Sequence, residues 1–267
     1  MCIKILIFKV FMIKYVLIVG ENMKKKKNRG RFFEAFKCFM RIFKRKPEFV
    51  FLGEEFVPSA IYLSNHVGAT GPLTLELYFP FENRFWGTHE MNGTMKERYI
   101  YLSHTYFHQK KHLPLWFSKF IAIFATPFMT LFYKGIRLIS TYSDGRMIIT
   151  VKQSLKVIKE DKESIIIFPE DSSKGYFDIL KAFHPGFYAF AKKCYKDGYD
   201  LPIYLMYYQR LNKRFIVDKP IMFSKLESIN KNMYEVAELY KNRANQLALL
   251  NDNTIQSEMN NKHFMER

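Results

Sequence analysis

Two short motifs carry side chains suited to chemistry: Asn65-His66 in SNHVGATGP, and Phe168-Pro169-Glu170 in IIIFPEDSSKGY. Each follows an apolar, strand-like run. An imidazole titrates near pH 6.5, so a His at a strand end can take a proton from an alcohol at neutral pH. A carboxylate at the end of a second strand can face the same crevice, because ligand sites in α/β sheets form at the carboxyl ends of strands. The two motifs therefore suggest one acid–base site built from distant pieces of chain. Other constellations are thinner. His104, His108 and His112 recur every four residues, but no Asp or Glu accompanies them, and no metal site is expected. His89-Glu90 is a candidate supporting pair for the site. No dinucleotide loop or phosphate loop of the GxGxxG or GxxxxGK[ST] type occurs. Cys2, Cys38 and Cys194 are odd in number and unpatterned, which argues against a disulfide framework and fits a reducing environment.

The elements that must position these residues alternate between strand and helix. Strands are expected over 56–64, 83–88, 135–141, in SIIIF before Pro169, and over 201–208 and 213–220. Helices are expected over 72–79, with Pro72 in the first turn, and over 95–111, 146–160 and 233–250. Residues 115–134 are apolar nearly all round with Pro127 inside. They read as a buried kinked helix or a shallow insertion rather than a span. The alternation makes the fold class α/β, a mixed central sheet flanked by helices. The polar tail from Asn251 is expected to fray.

Charge is unevenly spread. The net charge is +17, and residues 1–47 hold fourteen Lys or Arg against only Glu21 and Glu34, so about +12 sits there. A basic end on a near-balanced body points to an anionic surface, phospholipid or nucleic acid. Within GRFFEAFKCFMRIFKRK, Phe32, Phe36, Phe39 and Phe43 share one helical face, with Arg31, Lys37 and Arg41 interleaved. Aromatic and basic residues on one helix suit an in-plane membrane-surface helix, and this favours lipid over nucleic acid. Residues 1–22 read either as a membrane-surface segment or as an extension ahead of Met23 and its four lysines. The expected organisation is a basic, Phe-rich segment at 1–47, an α/β domain at 48–250 and a polar tail at 251–267.

In order and spacing, NHVGATG at 65–71, GIRLIST at 135–141, FPEDSSK at 168–174 and LPIYL at 201–205 resemble the four motifs of the glycerophospholipid acyltransferases, the lysophosphatidic-acid acyltransferases and relatives. The resemblance covers roughly 55–210. It implies a glycerolipid-acyltransferase-like fold on the cytoplasmic face of a membrane. It also implies a reaction in which His66 deprotonates a hydroxyl of a lysophospholipid or related acceptor, and that oxygen attacks an acyl thioester. No cofactor is implied beyond the donor itself, acyl-CoA or acyl carrier protein. Asn65, Gly135, Phe168, Pro169, Glu170 and Ser172 fall on the matching binding positions.

The chain also departs from the family pattern. The motif's Asp falls on Gly71, and Glu76 is too far along the helix to replace it. A carboxylate for His66 is therefore expected from elsewhere, from Asp171 ahead of Glu90. The motifs' phosphate-binding Arg positions fall on Thr141 and Ser173, which leaves Arg137, Arg146 and Lys174 as nearby cations able to compensate.

Overall fold

The computed structural model describes residues 29–173 and 175–265. The readings of residues 1–22 and of the lysine run 24–27, and the candidate Lys174, lie outside the described residues. The chain divides into two units between Arg45 and Lys46.

In the first unit, α1 (Arg31–Phe43) exposes Phe32, Phe39, Ile42 and Phe43 and buries Phe33 and Lys37. Phe39 and Phe43 meet edge to face at 4.9 Å, as residues one turn apart should. Lys37 is thus not part of an exposed basic face. Phe33 lies one turn before it, and its ring centre is 5.6 Å from the Lys37 ammonium.

The second unit is α/β, built on a mixed sheet of eight strands among the described residues. These are β1 (Glu48–Phe51), β2 (Ile61–Ser64), β3 (Asn83–Thr88), β4 (Ile139–Thr141), β5 (Ser164–Ile167), β6 (Pro202–Gln209), β7 (Arg214–Val217) and β8 (Ile221–Met222). The order is β1-β7-β6-β2-β5-β3-β4, with β8 on β6. The β6–β7 and β6–β8 pairs are antiparallel and the remaining pairs are parallel. IYLS and SIII are buried at every position, as expected for parallel strands covered on both faces. β2 and β5 are neighbours, with Leu63 opposite Ile167. The two motifs therefore leave the sheet side by side, although a hundred residues of chain separate them.

The helices are α2 (Thr70–Tyr78), α3 (His89–Asn92), α4 (Met95–Ile100), α5 (Leu115–Ile136), α6 (Met147–Lys156), α7 (Gly186–Lys196), α8 (Phe223–Ser228), α9 (Met233–Leu249) and α10 (Asp252–Met265). Two of the expected helices change pitch. The one at 95–111 is α-helical to Ile100 and π-helical over Tyr101–Lys110, and the one at 146–160 becomes π-helical over Val157–Asp161. Wide turns of this kind concentrate at functional sites. The strand expected at 135–141 begins only at Ile139, because α5 runs on to Ile136 and ends at Arg137 in a left-handed conformation (φ 52°). The frayed tail is also corrected. Asn251 and Thr254 exchange cap hydrogen bonds (2.9 and 3.0 Å), Ile255 is buried, and Asp252 and Glu258 pair with Arg214 and Arg243, so the segment forms α10.

One ion network ties the sheet to the end of α5. Glu163 is 2% exposed and accepts from Arg84 Nε (3.0 Å) and Arg137 Nη1 (3.1 Å). Arg84 also reaches Asp161, and Arg137 reaches Glu82. A buried carboxylate needs such partners, since ionised groups are costly to bury unpaired. Arg137 is therefore committed to this network.

Candidate functional site

The site starts from a side chain that imitates a strand. Asn65 follows β2 directly and is buried. Its Oδ1 accepts from the Tyr208 backbone N–H (2.7 Å), and its Nδ2 donates to the Tyr208 carbonyl (3.2 Å). This two-bond clamp on β6 holds the chain where it leaves the sheet. Asn65 thus serves the backbone of β6.

The turn that follows is strained. Val67 has φ 46° and Gly68 φ 61°. Left-handed backbone is ordinary for Gly but an outlier for a β-branched residue, and such outliers concentrate at functional sites. The turn brings His66 against the second motif. Its ring centre is 4.8 Å from that of Phe168, edge to face, and 4.9 Å from that of Tyr176, stacked at 23°. Phe168 in turn stacks on Phe85 of β3.

These contacts set the charge state of the imidazole. Burial lowers the His66 pKa to about 4, and the Lys110 and Lys111 ammoniums add to the effect, while backbone contacts at Gly68 oppose it. His66 is neutral at physiological pH. Its Nδ1 is enclosed without a hydrogen-bond partner among the described residues. Glu170 shows the mirror-image effect: burial raises its carboxyl to about 7, against the backbone N–H of His66 and the Lys110 charge. A short antiparallel ladder fixes the FPED segment. Pro169 O accepts from His184 N–H (2.7 Å), Asp171 N–H donates to Ala182 O (3.0 Å), and Glu170 faces Phe183.

Beside this group lies a cavity of about 240 Å³ lined by Gly68, Lys110, Lys111, Tyr176, Asp178 and Arg210, among others. Lys110 donates to Ser172 Oγ at 2.8 Å. Both lysine ammoniums lie over the Tyr176 ring, 5.7 and 5.8 Å from its centre. Burial lowers the Lys110 pKa, and Glu170, Asp171 and Glu90 pull it back up. Tyr176 is thus a partition, with its ring stacked on His66 and its edge lining a cationic pocket. The pocket is smaller than the roughly 300 Å³ at which small-molecule sites begin. A larger hollow of about 680 Å³ lies between β1 and α10, around Arg214 and Asp252, away from both motifs.

The structure brings His66, Phe168 and Glu170 together, with Ser172 one step further through Lys110. It does not bring the expected carboxylates to His66. Asp171 Oδ1 accepts from Ser173 N–H (2.9 Å) in a local turn, and that bond holds its pKa below the usual range. Glu90 accepts from Thr88 and lies 3.3 Å from His89 Nδ1. Gly135 is buried in the last turn of α5, ahead of the sheet-edge strand β4, and Pro169 contributes its carbonyl to the ladder. Arg146 is exposed and paired with Asp144, so it is committed like Arg137. His104 and His108 bond to Ser103 and Leu113, and no cluster of metal-binding side chains occurs among the described residues. Sequence reasoning missed Lys110, Lys111, Tyr176 and Arg210. Their signal was the cationic QKKH run and the Gly-Tyr pair after FPED, but neither had meaning before the fold placed them beside His66.

No family model, no curated protein and no solved structure matches the chain.

Gly71 has no room for a side chain in this backbone. A Cβ there would stand 2.6 Å from the His66 carbonyl oxygen and 3.1 Å from that of Asn65. Gly71→Asp is therefore expected to destabilise the fold by about 1–3 kcal/mol, the scale of overpacking, with Gly71→Ala behaving similarly. Urea denaturation checks this, and wild-type stability in Gly71→Asp would contradict the close packing.

Glu170 makes a second prediction. Between its ordinary value of 4.5 and about 7, the unfolded chain has released the carboxyl proton and the folded chain still holds it. Glu170 therefore lowers stability progressively as pH rises through that window, by up to about 3 kcal/mol at 1.36 kcal/mol per pH unit. His66 acts oppositely, costing stability as pH falls from 6.5 towards about 4. Glu170→Gln should stabilise the protein by about 1–3 kcal/mol at pH 8 and leave it near wild type at pH 4. Equal effects at both pH values would show that the carboxyl is not held protonated.

Proposed function

We propose that the chain is a membrane-associated acyltransferase with a glycerolipid-acyltransferase-like fold, working at the cytoplasmic face. His66 takes the proton of an acceptor hydroxyl as that oxygen attacks the carbonyl carbon of an acyl thioester. The tetrahedral intermediate then expels the thiolate, which leaves as a thiol after taking up a proton. The acceptor is a lysophospholipid or related lipid with an anionic head group, and the donor is acyl-CoA or acyl carrier protein. The observation that carries this reading is the closure of the Asn-His and Phe-Pro-Glu motifs onto each other, with the rings of His66 and Phe168 4.8 Å apart. A neutral imidazole is the form a general base requires. Lys110, Lys111 and Arg210 supply positive charge beside it, where the resemblance leads one to expect arginines at 141 and 173.

A second reading is a lipid-binding relative without turnover. It is favoured by Tyr176 stacked over the His66 ring and by Asp171 and Glu90 being bonded elsewhere, to Ser173 and Thr88.

Lipid profiling of cells with and without the chain identifies the acceptor as the lysolipid that accumulates in its absence. Purified protein is then assayed on that lipid. His66→Ala should lower turnover by at least about 10², the scale of general-base loss, with an unchanged circular dichroism spectrum. Near-wild-type turnover in a folded His66→Ala protein would remove His66 as the base. Tight binding of the lipid with no turnover by the wild type would establish the second reading.

A further inference from the structure

We propose that α5 is a membrane-insertion surface, lying in the plane of an anionic bilayer with one face in the acyl-chain region. This rests on α5 alone and is independent of the chemistry at His66. The helix has 22 residues and contains an 18-residue stretch of mean hydropathy 1.5, yet only 17% of that stretch is buried. Of the two expectations for 115–134, the buried helix is thereby corrected, and the shallow insertion is the one developed here. Trp116, Phe120, Ile123, Phe124, Phe128 and Leu131 are exposed, Trp116 by 74% and Phe124 by 68%. At 100° per residue these side chains fall within an arc of about 140°. Lys134, in the last turn, is the polar residue that shares this arc.

The opposite face explains why α5 stays on the protein. Ser118, Ala122, Thr126 and Tyr133 are buried, and the helix packs against α4 and the π-helical segment Tyr101–Lys110. Arg98 fastens it further, donating from Nη1 to Thr130 Oγ1 at 2.6 Å. A helix held along its length by small residues is not free to cross a bilayer alone. It presents a convex ridge about 33 Å long, at 1.5 Å per residue.

Lipid fits that ridge better than a protein does. Protein–protein interfaces are on the whole about as apolar as the rest of the surface, whereas this arc is apolar until its last turn. An exposed apolar patch of this extent marks an interaction site. The charges around it complement anionic head groups: Lys110 and Lys111 precede the helix, Lys119 flanks the apolar arc, and Lys134 closes it. Long lysine side chains can hold their ammoniums at the head groups while the helix sits lower. Trp116 and Phe117 at the start of the helix match the aromatic belt of membrane proteins. Lys110 and Lys111 also line the cationic cavity, so insertion of α5 would bring that cavity to head-group level.

Flotation of the full chain with vesicles of phosphatidylglycerol and phosphatidylcholine tests this. The wild type should float, less so in high salt, and Trp116 emission should shift to the blue when wild type is compared with Trp116→Phe. The triple variant Phe120→Ser, Ile123→Ser, Phe124→Ser should lose at least about 10-fold in vesicle binding, given the apolar area removed. Its melting temperature and circular dichroism should match wild type, because all three side chains are exposed. Undiminished binding by the triple variant would overturn the proposal and leave the anchor elsewhere in the chain. So would a wild type that ignores vesicles and sediments as a dimer, with the triple variant a monomer, since the face would then belong to a second copy.

Discussion

The side chain of Asn65 takes the place of a strand residue, and the site depends on it. β2 pairs with β6 as far as Ser64 and Met206, and the main chain then leaves the sheet. The Asn65 amide extends the ladder by bonding both backbone groups of Tyr208. No other side chain of that size offers a donor and an acceptor in the same plane. With the chain held there, the next residue is forced into the strained turn at Val67-Gly68, and its ring lies against the motif that leaves the adjacent strand. The close packing of Gly71 on the carbonyls of residues 65 and 66 completes the constraint from the helix side.

That geometry decides the electrostatics. Enclosure lowers the His66 pKa from 6.5 to about 4 and raises that of Glu170 from 4.5 to about 7, so between those ordinary values both groups, charged in water, are held close to neutral together. The cations of the site stand one layer out, on the π-helical segment and the turn after β6. The arginines in and beside the 135–141 stretch are occupied: Arg137 holds Glu163 and Glu82, and Arg146 holds Asp144. Positive charge therefore reaches the candidate site from a different part of the chain than the one the family resemblance points to. In the proposed reading, the small cavity takes a charged head group and the apolar face of α5 meets the hydrocarbon that such a cavity leaves no room for.

The parts that were legible in the sequence depend on local pattern. SIII and IYLS read as buried strands because a parallel interior strand is apolar throughout, but alternation does not make β2 and β5 neighbours, since two strands lie between them in sequence. The Asn-His and Phe-Pro-Glu motifs were visible as polar residues at strand ends. The remainder depended on distance in space. Nothing local distinguishes Asn65 as a clamp from Asn65 as a ligand. Asp171 has a donor two residues away, and that short-range bond decides its orientation before any long-range partner competes. The π-helical segment ends at Lys110 and His112 follows with a left-handed backbone (φ 56°), so His112 does not continue the face of His104 and His108. The outward face of α5 was hidden because composition alone gives the same signal for a core helix and a lipid-facing one. The polar tail became α10 through ion pairs with Arg214 and Arg243, whose positions only the fold supplies.

Two separate motifs meet around an imidazole kept neutral by enclosure. A nuclear magnetic resonance pH titration of the His66 ring in the full chain tests this, with its signals identified by their loss in His66→Gln. The ring should stay neutral through pH 6 and titrate near pH 4. A midpoint at or above the ordinary value of about 6.5 would contradict it, because an imidazole that charges freely at neutral pH is not enclosed between Phe168 and Tyr176.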